Sequence, residues 1–496
     1  MGAGIGLLIS LLTTVCSGQV YFEYSSEIRE IYSQLIDLKL DAAEERLQDY
    51  MHEAPENVAA VHMESYLDFF RLFISEDEAL FEGFKERKNK RLERLEALPE
   101  HLPSRRFALA ETKLQSALIR AKFDQVIGAS RELYSAYRLL KKNEEEFPEF
   151  IYNKKSLSII HSLVETVSLP GVVKTVFGIE GSLERGLDEI EALVAYSHAT
   201  PDFPFKEEVD AIYVYILQYQ ANLPAEATSY LARARFNPIQ SPLSTFILAK
   251  TNMRAGDNEA ALALLQHRPR GEGYAAFPYL DMMEGVCLLR KGDPRARALL
   301  TRFLTKFSGR HYIKEAYQKL AWAALIHDGD IPAYKQYMGK VEREGYAVVD
   351  GDKQALQEST GHAIPDPILL RARLLYDGGY HTKALSLLTR EAYRYAEDEQ
   401  LELEFVYRMG RIYHALGNYV EAISWYAKVM EADATGRHYF ACNAALQSGI
   451  IYESQHNLTA ARRLYESCLE MKPSAYKSSL HQKAKSGLQR IQSEGS

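Results

Sequence analysis

The sequence predicts an all-α protein, an α-solenoid of antiparallel helix pairs with a divergent helical N-terminal part. Three observations carry the prediction. Apolar residues recur at helical spacing along most of the chain, the period that turns one stripe of each helix towards a core. Short Gly-Asp and Gly-Asn turns punctuate residues 242–470 at intervals close to the length of a helix pair, and self-similarity of that kind marks a repeat architecture. The four cysteines, Cys16, Cys287, Cys442 and Cys468, form no disulfide framework, so helix packing has to supply the stability.

Composition narrows the function classes. The 496 residues are 47% hydrophobic and 25% charged, and the net charge of −8 is spread with both signs mixed. A general nucleic-acid binder would need a basic patch to neutralise phosphates, and none is visible. No run is apolar and long enough for a transmembrane helix.

Residues 1–18 read as a signal peptide. Ile5 to Val15 is apolar apart from Ser10, Thr13 and Thr14, and Cys16-Ser17-Gly18 before Gln19 places small residues where a signal peptidase cuts. The n-region lacks Lys and Arg, and a buried N-terminal helix is the alternative reading. Thr13-Thr14-Val15 before Cys16 makes a poor lipobox, so lipidation is not expected. The chain is therefore expected to be exported, periplasmic or extracellular. A divergent helical region is expected over 19–200, and the repeat array with its capping helix over 201–490.

The repeats are clearest near the C-terminus. One begins at Cys442 and carries Gly449, Tyr452, Ala461, Tyr465, Cys468 and Pro473. The preceding one begins at Leu403 and carries Met409, Gly410, Tyr413, Gly417, Ala422, Tyr426 and Val429 in corresponding places. These residues resemble the tetratricopeptide repeat, a helix-turn-helix of about 34 residues. Its small residues sit where the two helices touch most closely, its glycine ends the first helix in a left-handed conformation, and its proline stops the second. Weaker copies start near Pro242, Pro278, Glu315 and Pro365, at spacings of 36, 37, 50 and then 38 residues to Leu403. The turn aromatic of the copy at Pro365, Tyr380, is one place out of phase. The long interval leaves Gly345 to Pro365 as a loop or a short extra helix.

Further upstream the pattern loosens. Ile28, Ile31, Leu35, Leu38, Ala43, Leu47 and Pro55 resemble one degenerate repeat, and residues 82–99 read as a charged, solvated helix. Residues 110–330 loosely resemble the tetratricopeptide-repeat 39 and inclusion-body clearance family. Ser168-Leu169-Pro170, Val176-Phe177-Gly178, Gly181 and Arg185-Gly186-Leu187 carry the likeness, and Glu184 is displaced from that family's arrangement. The resemblance implies a discontinuous helical array acting as an adaptor. Gly178, Gly181 and Gly186 also have a purely physical reading, as a corner where two helices approach closely.

No catalytic motif emerges. There is no HExxH, CxxC, GxSxG or Walker A pattern. Gly271-Glu272-Gly273-Tyr274-Ala275-Ala276 mimics a dinucleotide turn but follows no strand. Ser474 to Lys477 matches SxxK without its companion motifs. The chain is therefore expected not to be an enzyme, and no cofactor or metal is expected. Groove-lining phases of the first helices hold Arg373 and Tyr376, then Tyr407, Arg411 and His414, with Asn443 in the following repeat. Aromatic and arginine residues are the usual anchors of a protein interface. Arg373, Tyr376, Tyr407, Arg411 and His414 are nominated as a partner site, although the lysine and asparagine of the family's carboxylate clamp are absent. The favoured function is a non-catalytic adaptor of the cell envelope that binds a protein or peptide. The alternatives are a glycan-binding helper of an outer-membrane nutrient importer, and an enzyme. Cys442 and Cys468 fall at the two ends of one repeat. Antiparallel geometry is expected to leave Cys468 almost one turn from facing Cys442, as a reduced packing residue.

Overall fold

The structure is a computed structural model and describes residues 20–166, 181–395, 397–433, 436 and 438–493. The segment read as a signal peptide, and Ser168 to Glu180 of the family-like stretch, lie outside the described residues. The fold is all-α. Among the described residues the only β-type pairing is one isolated bridge, Tyr21 with Asn57.

The chain separates into two compact units. The first reaches Asn222 and takes in Arg270–Ala276; the second holds Leu223–Pro269 and the chain from Phe277 onwards. The first unit contains α1 (Ser26–Ile36), α2 (Leu40–Glu53), α3 (Ala59–Ser75), α4 (Glu78–Glu82), α5 (Phe84–Glu96), α6 (Pro103–Lys122), α7 (Val126–Glu146), α8 (Asn153–Thr166), α9 (Leu183–Ala199) and α10 (Lys206–Tyr215). A π-helical turn, Ile216–Gln220, follows. The second unit contains α11 (Pro224–Leu231), then the pairs α12 (Pro242–Ala255) with α13 (Asn258–Gln266), α14 (Tyr279–Lys291) with α15 (Ala296–Lys306), and α16 (Ile313–Asp328) with α17 (Ile331–Arg343). After α18 (Asp350–Thr360) come α19 (Pro367–Asp377) with α20 (His381–Glu391), α21 (Glu399–Ala415) with α22 (Tyr419–Ala432), and α23 (Tyr439–Ser454) with α24 (Leu458–Glu470). The last helix is α25 (Lys477–Ser493).

The first unit is organised around a buried cation. Lys155 is 1% exposed. Its ammonium donates to Glu111 at 2.5 Å, to Glu208 at 2.9 Å and to the Tyr66 hydroxyl at 2.5 Å, and it stands 4.4 Å from the Phe205 ring centroid. Tyr32 and Tyr66 both donate to the same Glu208 oxygen, at 2.7 and 2.8 Å. Burial pushes the Glu111 carboxyl above its ordinary range, and the Lys155 charge opposes that rise. Such a cluster is tolerated in a core only because its members satisfy one another. Phe203, Phe205 and Glu208 are integral to it, so residues 201–222 fold with the first unit rather than with the repeat array.

Two sequence expectations are settled locally here. Helix α5 is not merely solvated: Lys88 and Arg91 are buried. Lys88 pairs with Glu132, and Arg91 donates to Asp68 at 2.5 Å. Partner carboxylates on α3 and α7 let these cations pack. The glycine corner is real at its described end. A Cβ on Gly181 would lie 2.8 Å from His161 Cα, and one on Gly186 would lie 2.9 Å from the Ser158 carbonyl oxygen. Helix α9 therefore rests directly on α8.

In the second unit the turn chemistry repeats. Asp257, Asp330, Asn418 and Asn457 each cap a second helix by accepting from the backbone N–H three residues on, the preferred N-cap arrangement. In the α19–α20 turn, the capping place is held by Tyr380, which makes no side-chain cap. Its hydroxyl instead accepts from Asn258 at 3.0 Å and donates to Glu259 at 2.7 Å. The adjoining Gly379, at φ +79°, presses on the Gly256 backbone, where a Cβ has no room. The out-of-phase tyrosine is thus a contact between repeats more than 100 residues apart in sequence. The extra element between α17 and α19 is a helix. Asp352 of α18 accepts from Tyr312 N at 2.6 Å and Glu315 N at 2.9 Å at the start of α16. Glu358 accepts from Trp322 Nε1 at 2.7 Å and Gln318 Nε2 at 2.6 Å.

The terminal repeat is closed by an aromatic ring held between two glycines. A Cβ on Gly449 of α23, or on Gly487 of α25, would lie 2.6 Å from the Tyr465 ring. The Tyr465 hydroxyl donates to Glu453, whose carboxylate accepts from Arg490 at 2.7 and 2.9 Å. Gly487→Leu is therefore expected to destabilise this end by about 1–3 kcal/mol or more through overpacking, read as a lower thermal midpoint in circular dichroism. Gly339→Ala, which would meet only the end of the Arg343 side chain at 3.5 Å, should leave the midpoint unchanged or slightly raised. An unaltered midpoint for Gly487→Leu would refute the packing account.

Candidate binding cleft

Four of the five nominated residues converge. Arg373 and Tyr376 lie three apart on α19, and Tyr407 and Arg411 four apart on α21, spacings that put each pair on one helix face. All four line a cleft of about 260 Å³ within the second unit. Asn443 and Tyr439 of α23 add a third wall. Tyr476, Ser479, Leu480 and Lys483 add a fourth at α25, and Gln354 of α18 closes one side. First helices of successive repeats present equivalent faces to one groove, which is why residues far apart in sequence meet here.

The positions of the cations are well defined. The Arg411 guanidinium lies 4.3 Å from the Tyr376 ring centroid, a cation–π stack. Arg373 lies 5.0 Å from the Trp322 ring and 3.8 Å from Asp377, the one acidic residue lining the cleft. Arg408 is paired with Glu404. Among the described residues no carboxylate lies within ion-pair distance of Arg411 or Lys483. Lys483 is exposed along its side chain. Desolvation at its ammonium end, then repulsion from Arg254 and Arg411, lowers its pKa. The chemistry on offer is cationic and aromatic, with hydroxyl and amide donors between. It holds no nucleophile–base pair, and among the described residues no group of His, Cys, Asp or Glu is arranged to hold a metal ion.

Two nominated residues behave differently from expectation. Tyr407 is not a surface anchor: it is 1% exposed, its hydroxyl accepts from Asn443 Nδ2 at 2.6 Å, and its ring packs on Phe440. It forms the floor of the cleft, so truncating it would be a core change of about 3–5 kcal/mol, not a mild surface change. His414 does not line the cleft. One further turn along α21 it points back into its own repeat, edge-on to Tyr419 and Tyr426, with Nδ1 3.4 Å from the Tyr426 hydroxyl. Sequence reasoning missed Lys483, Tyr476 and Ser479. The last helix was expected as the cap of the array; it occupies the place of a further first helix and so also faces the groove. Its lysine at 483 was the available signal.

The thiols bear out the expected unbridged, buried Cys468 and correct its expected stagger from Cys442. Cys442 and Cys468 face each other, with Sγ atoms 3.5 Å apart, both fully buried. Helix α23 starts at Tyr439, ahead of the repeat's formal first residue, so Cys442 sits a turn inside it and level with Cys468. Cys287, Cys442 and Cys468 are all free thiols. The dinucleotide-like Gly271-Glu272-Gly273 lies in a surface loop with no strand before it. Trp322, a possible sugar platform by residue type, is 2% exposed and belongs to the core.

His414 generates a pH prediction. Burial, then the Arg411 charge, lowers its pKa to about 4, below the unfolded value of about 6.5. The unfolded chain therefore binds the proton first. The stability held above pH 6.5 is lost as pH falls through about 4, by on the order of 2–3 kcal/mol. Denaturant unfolding of His414→Gln should show a shallower loss between pH 6.5 and 4 than the parent protein. Parallel pH profiles would contradict the assignment.

Comparison with known proteins agrees with this construction. Residues 402–474, covering α21 to α24, match the family model of the tetratricopeptide repeat. No curated protein matches the sequence. Among solved structures, the crystal structure of the tetratricopeptide-repeat domain of P58(IPK) aligns with 83% of this chain and 99% of its own, at 16% identity and a TM-score of 0.21. The match over 402–474 and the turn, glycine and tyrosine geometry of those helix pairs identify α21 to α24 as tetratricopeptide repeats.

Proposed function

We propose that this chain is a non-catalytic adaptor that is exported to the cell envelope and holds a partner protein or peptide in the cleft of its C-terminal repeats. Tetratricopeptide repeats are in general protein-interaction modules, and that coarse statement applies here. The observation that carries the finer reading is the convergence of Arg373, Tyr376 and Arg411 on one cleft with a buried tyrosine floor. Arginines stacked on aromatic rings at a concave surface are the residue types that dominate binding hot spots. Export is supported by the apolar run Ile5–Val15 and the small residues at Cys16 and Gly18.

Two measurements test this. The double variant Arg373→Ala with Arg411→Ala, captured against envelope extract, should retain its helicity and lose at least about tenfold in partner capture, the scale of one hot-spot contact. Unchanged capture with unchanged folding removes the cleft as the partner site. N-terminal sequencing of the mature protein should begin at or near Gln19; an intact Met1 on cytosolic protein would overturn export.

A further inference from the structure

Arg373 and Arg408 each have a carboxylate partner, whereas Arg411 and Lys483 have none among the described residues. The two belong to different helices and line the same cleft. Arg411 is held in place by its stack on Tyr376 at 4.3 Å, and Lys483 lines the cleft from the last helix. Arg254 lies close enough to add repulsion at Lys483. Like charges gathered at a partly desolvated concavity oppose folding, and an anion seated among them reverses the sign of that interaction. The surrounding groups suit an oxyanion: the lining residues include Asn443 and Ser479, both able to donate hydrogen bonds.

We propose that this cleft is a phosphate site, in which Arg411 and Lys483 donate to the oxygens of a phosphate group, free or carried as a monoester. The proposal rests on reading the cleft as the ligand site of the array. Charge and size favour phosphate over carboxylate. Two surplus cations face a space of about 260 Å³. A single phosphate monoester brings about −1.5 to −2 charge and three acceptor oxygens into such a space, whereas one carboxylate leaves a cation uncompensated. Arginine donates to phosphate through a planar fork, and lysine acts as a point charge. The rings of Tyr376 and Tyr439 flank the cleft and offer a flat wall for the stem of an ester.

The test is calorimetric titration of the full chain at low ionic strength with three probes: phenyl phosphate, inorganic phosphate and phenylacetate. Phenyl phosphate should bind saturably, and phenylacetate at least about tenfold more weakly. Tighter binding of phenyl phosphate than of inorganic phosphate assigns the site to an ester with a stem; equal affinity assigns it to the free ion. Both outcomes support a phosphate site. Lys483→Met, a change on an exposed side chain, and Arg411→Gln should each weaken phenyl phosphate at least about tenfold. Arg411→Lys should retain part of the affinity. Lys428→Gln should change nothing, since Lys428 lies over Trp425 outside the cleft. Circular dichroism confirms that each variant is folded. Absent saturation, equal affinity for phenylacetate, or an equal loss in Lys428→Gln overturns the proposal. Partner capture that depends on Arg373 and Arg411 while no phosphate probe binds would overturn this inference alone and leave the adaptor reading standing.

Discussion

The last repeats depend on a steric condition: a tyrosine ring of the second helix lies against the backbone of the first, and only a residue without a Cβ permits it. Tyr426 meets Gly410 in this way, with a Cβ there falling 2.8 Å from the ring. Tyr465 meets Gly449 on one edge and Gly487 on the other. The contact sets how closely the helices of a pair approach. It also leaves the opposite face of each first helix free to turn towards the groove. Burying a tyrosine removes a large apolar area from water, and the Tyr465 hydroxyl is satisfied by Glu453, which also anchors Arg490 of the last helix.

The cleft follows from that packing. With the first helices set side by side, Arg373, Arg411 and Asn443 come from three consecutive repeats, and the closing helix acts as a fourth member by contributing Lys483. The tyrosines do two jobs at different depths. Tyr407 is core and supports the floor, while Tyr376 is half-buried and holds a guanidinium in place. Most repeat arrays touch only nearest neighbours. Here the α19–α20 turn also meets the α12–α13 turn, and the cost of losing the Tyr380 cap is offset by its hydrogen bonds to Asn258 and Glu259.

The first unit shows a different solution to burial. Its core accepts a lysine and a glutamate because two tyrosines and a second glutamate complete their hydrogen bonds. The same logic explains helix α5, whose charges look solvated along the chain and are nevertheless packed. Neither cluster leaves a local mark, because the partners of Lys155 come from α3, α6 and α10, and those of Lys88 and Arg91 from α7 and α3.

Helix pairs, their turns and their close-approach residues were legible in the sequence because they obey local rules. A helical period, a capping Asp or Asn and a glycine at the right offset all act within one unit of chain. The groove phase of Arg373, Tyr376 and Arg411 was legible for the same reason, since the face a residue occupies on its own helix follows from its register. What lies opposite that face is decided by how neighbouring helices are rotated and staggered, and no local rule carries that information. Hence only the tertiary structure placed Tyr407 in the core, turned His414 back into its own repeat, brought Cys442 level with Cys468, and gathered Lys483 into the same cleft as Arg411.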